Sequence, residues 1–325
     1  MSTIASDQTT QETPGSWIFS RDILAWLNDK ELTQQLPLPY QKFAEECNQY
    51  FQENDAFQIK DGSHQFQELV AACRSTDSEK QLGLQLPHCQ IFLNLEDPRF
   101  FQVVNELLSE ETDKKVVKEL LKPGDSFFDI GANHGSFSII ASQILGDRGT
   151  ITAVEAQPTL ANLVRQSLAA NVKCEFEVYQ IALGDHAGEI DFMIPVDSSG
   201  SAGIFAGHSA THQYKKVTVS LQRFDDLVDS KKFKPNGLMK LDIEGSEYSF
   251  LQGASRTVRE LKPKIILEIN PGTLKASGVG IEKLKGLLEA LGYRFYTEVS
   301  NLDARFALES LKADSQRNIV VFDSY

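Results

Sequence analysis

No apolar run in this chain comes near the roughly 20 residues that a membrane-spanning helix needs. The longest, around Phe127-Phe128 and Lys264-Ile265-Ile266-Leu267, are a few residues each, so a membrane span is not expected. The N-terminus, beginning Met1-Ser2-Thr3-Ile4-Ala5-Ser6, has neither a basic head nor an apolar stretch; no secretory signal is expected, and the chain is expected to be cytoplasmic. Cysteine is scarce: Cys47, Cys73, Cys89 and Cys174 are scattered without C-x-x-C spacing, which argues against a zinc site and for reduced, buried thiols. Basic residues are in deficit, with 32 Lys and Arg against 45 Asp and Glu and a net charge of −13. Nucleic-acid binding leans on Lys and Arg contacts to phosphate, so that balance predicts no nucleic-acid partner and leaves a small molecule, a sugar or a peptide.

What is present suits a packed α/β protein. Hydrophobic residues make up 41% of 325, enough for an ordinary core, and no internal repeat is visible. Residues 1–98 read as a helical extension, frayed over about the first 13. Apolar residues at helical spacing through Trp17, Ile18 and Ile23 to Leu27 predict one helix, and a second is predicted from Pro39 to Phe51. From residue 99 to 325 the pattern alternates regularly between strands and helices, the signature of a parallel sheet with helices on both faces. Seven strands are expected, ending near residues 126–129, 150–155, 174–181, 237–241, 264–269, 294–298 and 317–322. The last follows its predecessor through a loop rather than a helix, which predicts an antiparallel final strand. Residues 184–220 interrupt the alternation with two strand-like segments around a Gly- and Ser-rich loop, an inserted hairpin near the ligand face.

The most informative stretch is Phe127-Phe128-Asp129-Ile130-Gly131-Ala132-Asn133-His134-Gly135, a strand that stops at an acid and a glycine elbow. A dinucleotide fingerprint needs its second glycine so that backbone can approach a pyrophosphate; here that position is Asn133 and the third is Ser136. A cofactor without a diphosphate fits better. S-adenosylmethionine qualifies, with its amino-acid end over the Gly131 turn, its ammonium near Asp129 and its ribose on Glu155 at the end of the next strand. An acid in that place also serves NAD proteins, so an NAD-dependent oxidoreductase stays open as an alternative, as does a non-catalytic module that only binds the cofactor.

Ligands in such sheets bind beyond the carboxyl ends of the strands. Two of those ends read Lys240-Leu241-Asp242-Ile243-Glu244-Gly245-Ser246-Glu247 and Leu267-Glu268-Ile269-Asn270-Pro271, which gathers acids at one rim. In the same chain order stand Val154-Glu155-Ala156-Gln157-Pro158, Asn171 and Ala182-Leu183-Gly184. Taken together, from about Pro123 to Asn270, this set resembles the FkbM family of class I S-adenosylmethionine-dependent methyltransferases. Gln157 departs mildly from the family pattern, and the first hundred residues carry none of its motifs.

The resemblance implies a Rossmann-like, doubly wound seven-stranded sheet of the class I methyltransferase type with its last strand antiparallel. It implies methyl transfer, most simply O-methylation of a hydroxyl on a secondary metabolite or sugar; the strand-end motif lacks the N/D-P-P-Y/F element of many amino-methylating enzymes. Cofactor contacts are expected at Asp129, Gly131, Ala132, Asn133, Gly135, Glu155 and Ala182. An acceptor hydroxyl must lose its proton, to a general base among Asp242, His134 and Glu247 or with help from Mg²⁺ held by the hard oxygen donors Asp242, Glu268 and Asn270. His208 and His212, in the insertion, are candidates for a lid.

Overall fold

The computed structural model describes residues 16–18, 27–53, 58–60, 80–108, 112–196, 199–205 and 213–323. In the N-terminal region the helix Leu38–Glu53 matches the sequence expectation. The expected helix through Trp17 is not there: β1 (Ser16–Ile18) is a strand, paired antiparallel with β2 (Gln58–Lys60). Residues 19–26 lie outside the described set, and a short helix, Lys30–Thr33, follows with Asp29 capping it. A second pair, β3 (Gln81–Gln85) and β4 (Gln90–Asn94), forms a hairpin. Its strands alternate between the core and solvent, with Leu84, Ile91 and Leu93 buried.

The rest alternates as expected. In chain order the strands are β5 (Ser126–Ile130), β6 (Thr150–Val154), β7 (Glu175–Tyr179), β8 (Ala182–Leu183), β9 (Gly188–Pro195), β10 (Tyr214–Gln222), β11 (Leu238–Leu241), β12 (Lys264–Ile269), β13 (Phe295–Glu298), β14 (Asn301–Ala307) and β15 (Arg317–Phe322). The central sheet runs β14-β13-β15-β12-β11-β5-β6-β7. Neighbours from β12 to β7 are parallel, and β15 is antiparallel to both β12 and β13. The seven expected strands are all present, and β14 adds an edge strand that was not foreseen. The inserted hairpin is also present: β9 and β10 pair antiparallel, and β8 joins β10 in a separate three-stranded sheet.

The N-terminal region shares a core with the sheet. Tyr40, Phe43, Ala44 and Cys47 recur on one face of their helix and are buried, with Tyr40 set edge-on against Phe100 and Phe43 against Phe101. The same cluster continues through Ile91, Phe127, Ile139 and Val164, so it crosses the boundary expected near residue 98. Polar contacts fix the dock. The Phe92 amide donates to Ser167 Oγ at 2.9 Å, and Asn171 clamps Gln90 from both sides, accepting from its amide at 2.9 Å and donating to its carbonyl at 2.6 Å. Cys47, Cys89 and Cys174 are buried free thiols, in line with the sequence reading, while Cys73 lies outside the described residues.

Asn171→Ala leaves both backbone groups of Gln90 without their partner. It should lower the unfolding free energy by about 1–3 kcal/mol, read from urea denaturation, and it should leave cofactor affinity unchanged because Asn171 lies away from the strand ends.

Candidate functional site

The carboxyl ends of β5, β6, β11 and β12 open on a cavity of about 620 Å³, at the crevice where parallel sheets of this kind hold ligands. One wall is the glycine loop after β5. Gly131 has φ +85°, and a Cβ there would stand 1.9 Å from the Asp242 carbonyl oxygen, so neither the turn nor the contact admits a side chain. Asn133 has φ +51°, a left-handed conformation that asparagine tolerates better than most residues. Its amide side chain is a hub: Nδ2 donates to Ser199 Oγ at 2.9 Å, and Oδ1 accepts from Arg99 Nε at 3.3 Å and from His134 Nδ1 at 2.8 Å.

Glu155 ends β6 and lines the cavity. Its oxygens accept from the amides of Asn133 and Gln157, both at 2.8 Å, and burial pushes its carboxyl up to about 7. Beyond it Ala156, Ile181, Ala182 and Leu183 form an apolar flank. Asp129 and Gly135 do not line the cavity. Asp129 is wholly buried, with one oxygen accepting from Ser138 Oγ at 2.6 Å and the other without a partner among the described residues. Burial raises its carboxyl. Gly135 opens the helix Ser136–Leu145 in the left-handed conformation.

At the opposite rim Asp242 faces the cavity, its side chain 40% exposed, and its Oδ2 accepts from Lys240 Nζ at 3.0 Å. Desolvation alone would raise Asp242, but Lys240 outweighs it and holds the carboxyl below its ordinary range. Lys240 lies over the Phe137 ring at 5.0 Å. Burial would lower the ammonium, yet Asp242 and Asp129 together keep it above its ordinary value. Glu244 and Glu268 complete an acidic trio with Asp242 whose oxygens lie within 4.8 Å of one another. Burial pushes Glu244 well up, and Asp242 and Glu268 add to the effect.

Three expected site residues are turned elsewhere. Asn270 is a helix cap: its Oδ1 accepts from the Gly272 amide at 2.9 Å, its side chain also hydrogen-bonds Glu268 beside the cavity, and it does not itself line the cavity. Glu247 is buried under the turn it opens, Oε1 accepting from the amides of Ile243 and Gly245 at 3.2 Å each. His134 is buried behind the loop. With Nδ1 donating to Asn133, its Nε2 stands 4.0 Å from Asp97 Oδ2, and neither atom has a hydrogen-bond partner among the described residues. Burial lowers the imidazole to about 4. Neither His134 nor Glu247 reaches the cavity as a base. His208 and His212 lie outside the described residues.

Sequence reasoning passed over Arg99, Lys240 and Ser199, all of which line the cavity. Lys240 had a signal, since period-two alternation sets it on the same face of the strand end as Asp242. Arg99 and Ser199 had none, being brought to Asn133 only by the tertiary fold.

Residues 129–295 match the model of the methyltransferase FkbM domain. The chain is 34% identical over 87 residues to ribosomal RNA large subunit methyltransferase E of Sorangium cellulosum, a match that covers 24% of this chain and 40% of that protein. Among solved structures it is similar to methyltransferase FkbM from Methylobacillus flagellatus KT, with 16% identity, 69% of this chain and 54% of that one covered, and a TM-score of 0.38. It is also similar to M. jannaschii TYW2 in complex with AdoMet, at 12% identity over 76% and 86% of the two chains and a TM-score of 0.37. The expectation of no nucleic-acid partner is corrected here: the curated relative is itself named for ribosomal RNA. A net charge sums over the whole chain, whereas phosphate contacts are local. Among the described residues no helix is long and apolar enough to cross a membrane.

His134 gives a pH test. Held below its unfolded value, it binds its proton more weakly in the folded state, so stability is full above about 6.5 and falls as pH drops toward about 4. His134→Gln removes that loss. In urea melts the stability of the wild type relative to the variant should therefore fall across this window, and the pH profile of turnover should be the same for both proteins.

Proposed function

The chain belongs to the FkbM methyltransferase family, matched over residues 129–295, and from that premise we propose that it is an O-methyltransferase whose acceptor hydroxyl lies beside Asp242. Membership makes it an S-adenosylmethionine-dependent methyltransferase. The observation that carries the finer reading is the Lys240–Asp242 pair, a carboxylate kept ionised at the cavity rim.

The residues fit the cofactor. The cavity is within the usual size of a small-molecule site, about 300–1,000 Å³. Glu155 presents a buried carboxylate to ribose hydroxyls, Ala156, Ile181, Ala182 and Leu183 offer an apolar bed for adenine, and the tight turn at Gly131 leaves room for the amino-acid end. When bound, S-adenosylmethionine supplies an electrophilic methyl group on a sulfonium. On transfer to the acceptor oxygen the S–CH₃ electron pair would stay on sulfur; Asp242 would accept the hydroxyl proton, and Lys240 keeps Asp242 in the form able to accept it. Alignment of the two reacting atoms between glycine loop and rim supplies several kcal/mol of the rate enhancement.

The acceptor we favour is the hydroxyl of a small metabolite or sugar, which the cavity would take beside the cofactor. A divalent cation is a second reading, favoured by the oxygens of Asp242, Glu244 and Glu268 standing within 4.8 Å of one another. These three are hard donors of the kind Mg²⁺ takes, and they would hold it in place of the set with Asn270.

The decisive assay follows labelled methyl from S-adenosylmethionine into hydroxylated metabolites, sugars and an RNA fragment, with Mg²⁺ or with EDTA. Asp242→Asn should lower turnover by about 100-fold or more and leave S-adenosylhomocysteine affinity little changed. Unchanged turnover would sink the role of Asp242. Label transferred to an amine alone would replace O-methylation with N-methylation, and equal rates in EDTA would dispose of the metal.

A further inference from the structure

The glycine loop has few backbone donors to spare. The amides of Gly131 and Ala132 both donate to the Val154 carbonyl, at 3.0 and 2.9 Å, and the Gly135 amide donates to Ala132 at 2.8 Å. The Asn133 amide is committed to Glu155 at 2.8 Å. An α-carboxylate brought over residues 131–133 would meet amides already spent within the protein; the first-turn amides of the helix Ser136–Leu145 remain as donors, and a buried anion needs a countercharge besides. The charge has to come from a side chain.

Arg99 is the cation next to the loop. It sits outside the family match, just before the helix Phe100–Leu108, and its backbone amide is pinned by Asp97 Oδ1 at 3.1 Å. The same oxygen accepts from the Ser199 amide at 3.2 Å, so one carboxylate ties together the segments on either side of the guanidinium. Arg99 Nε reaches Asn133 Oδ1, Nη1 donates to Gln102 Oε1 at 2.9 Å, and Nη2 approaches Glu106 Oε1 at 3.4 Å. Three donors are engaged, and the remainder of the fork is left, among the described residues, for a ligand. Gly200 makes room, since a Cβ there would stand 3.1 Å from Nη1. The charge also acts across the whole cavity, on His134, Lys240, Asp242 and Glu244. Arg99 shares its charge with Glu106 at 3.4 Å, Lys240 is held more closely by Asp242 at 3.0 Å, and Lys114, which also lines the cavity, donates to the Leu107 carbonyl at 3.0 Å.

We propose that Arg99 is the carboxylate-binding residue of the cofactor site, its guanidinium taking the α-carboxylate of S-adenosylmethionine beside Asn133. This rests on the reading above that the cavity holds that cofactor. The segment that precedes the family match thereby supplies a residue the matched residues 129–295 lack, and affinity for the amino-acid end depends on a position more than 30 residues before the glycine loop.

Two ligands separate the possibilities: S-adenosylhomocysteine, and 5′-methylthioadenosine, which keeps the nucleoside and the thioether but has no amino-acid end. Calorimetric titration of the full chain should show Arg99→Gln weakening S-adenosylhomocysteine by about 10- to 100-fold, the worth of a hydrogen bond to a charged group. Methylthioadenosine affinity should be unmoved, which also shows that the variant is folded, and Arg99→Lys should fall between. Glu155→Gln should weaken both ligands. Equal loss of both ligands in Arg99→Gln would make Arg99 a structural strut and overturn the proposal. Loss of neither, with a raised KM for the acceptor, would assign the guanidinium to an acceptor anion and overturn it as well. A wild-type protein that binds neither ligand would overturn the cofactor reading itself, an outcome distinct from the other two.

Discussion

The contact on which this site depends is between a backbone carbonyl and a missing side chain. β5 and β11 lie side by side, Ile130 level with Leu241, and as they leave the sheet the Asp242 amide donates to the Ile130 carbonyl at 3.1 Å. The Asp242 carbonyl then comes so close to Gly131 that a Cβ would stand at 1.9 Å. Because the elbow and the acidic rim share this contact, the place where a cofactor can lie and the place where a proton can be taken are positioned by one piece of backbone geometry. Any side chain at residue 131 would part them by more than an ångström, enough to misalign an in-line transfer.

Around that contact the charges are arranged in offsetting sets. Lys240 lies over the Phe137 ring, is ion-paired with Asp242 and sits level with Asp129 on the neighbouring strand β5. A lone buried ammonium would be costly, and two partners make it tolerable. Arg99 does for the glycine loop what Lys240 does for the rim. Arg99 and Lys240 are delivered differently, Lys240 from β11 and Arg99 from the turn before the helix Phe100–Leu108, and the Asp97–Ser199 link holds Arg99 in register with the insertion.

Much of this was legible in the chain. The alternation of β and α elements, the elbow after Asp129, the acid of Glu155 and the inserted hairpin each leave a local signal, because a sharp turn, a strand end or a period-two pattern needs particular residues within a few positions. The overlooked parts are contacts between distant positions. β1 and β2 pair Trp17 with Ile59 across a long gap, and β3 and β4 are short, glutamine-flanked strands of five residues each. Asn270 has a second role that its sequence also carries. Followed by Pro271, it has the signature of a helix start, a capping side chain before a proline at the first turn, and its oxygen accepts from the Gly272 amide. Net charge misled for a different reason, since a chain-wide sum carries no information about where charge of either sign collects.

The order of the central sheet has a consequence for how the chain assembles. β15, latest of the strands, lies between β13 and β12, so the slot it fills stays open until every other strand of the sheet has been made. Until then β12 and β13 present unpaired edges, which invite pairing with other chains. Synthesis at ~5–20 residues per second leaves that slot exposed for a time set by the stretch from β13 to β15. Leu311 to Gln316, the loop that precedes β15, is therefore a place where a slow step would prolong the risk of aggregation, and its last residue is also the one that reaches the acidic trio, Gln316 Nε2 donating to Glu268 Oε1 at 2.7 Å.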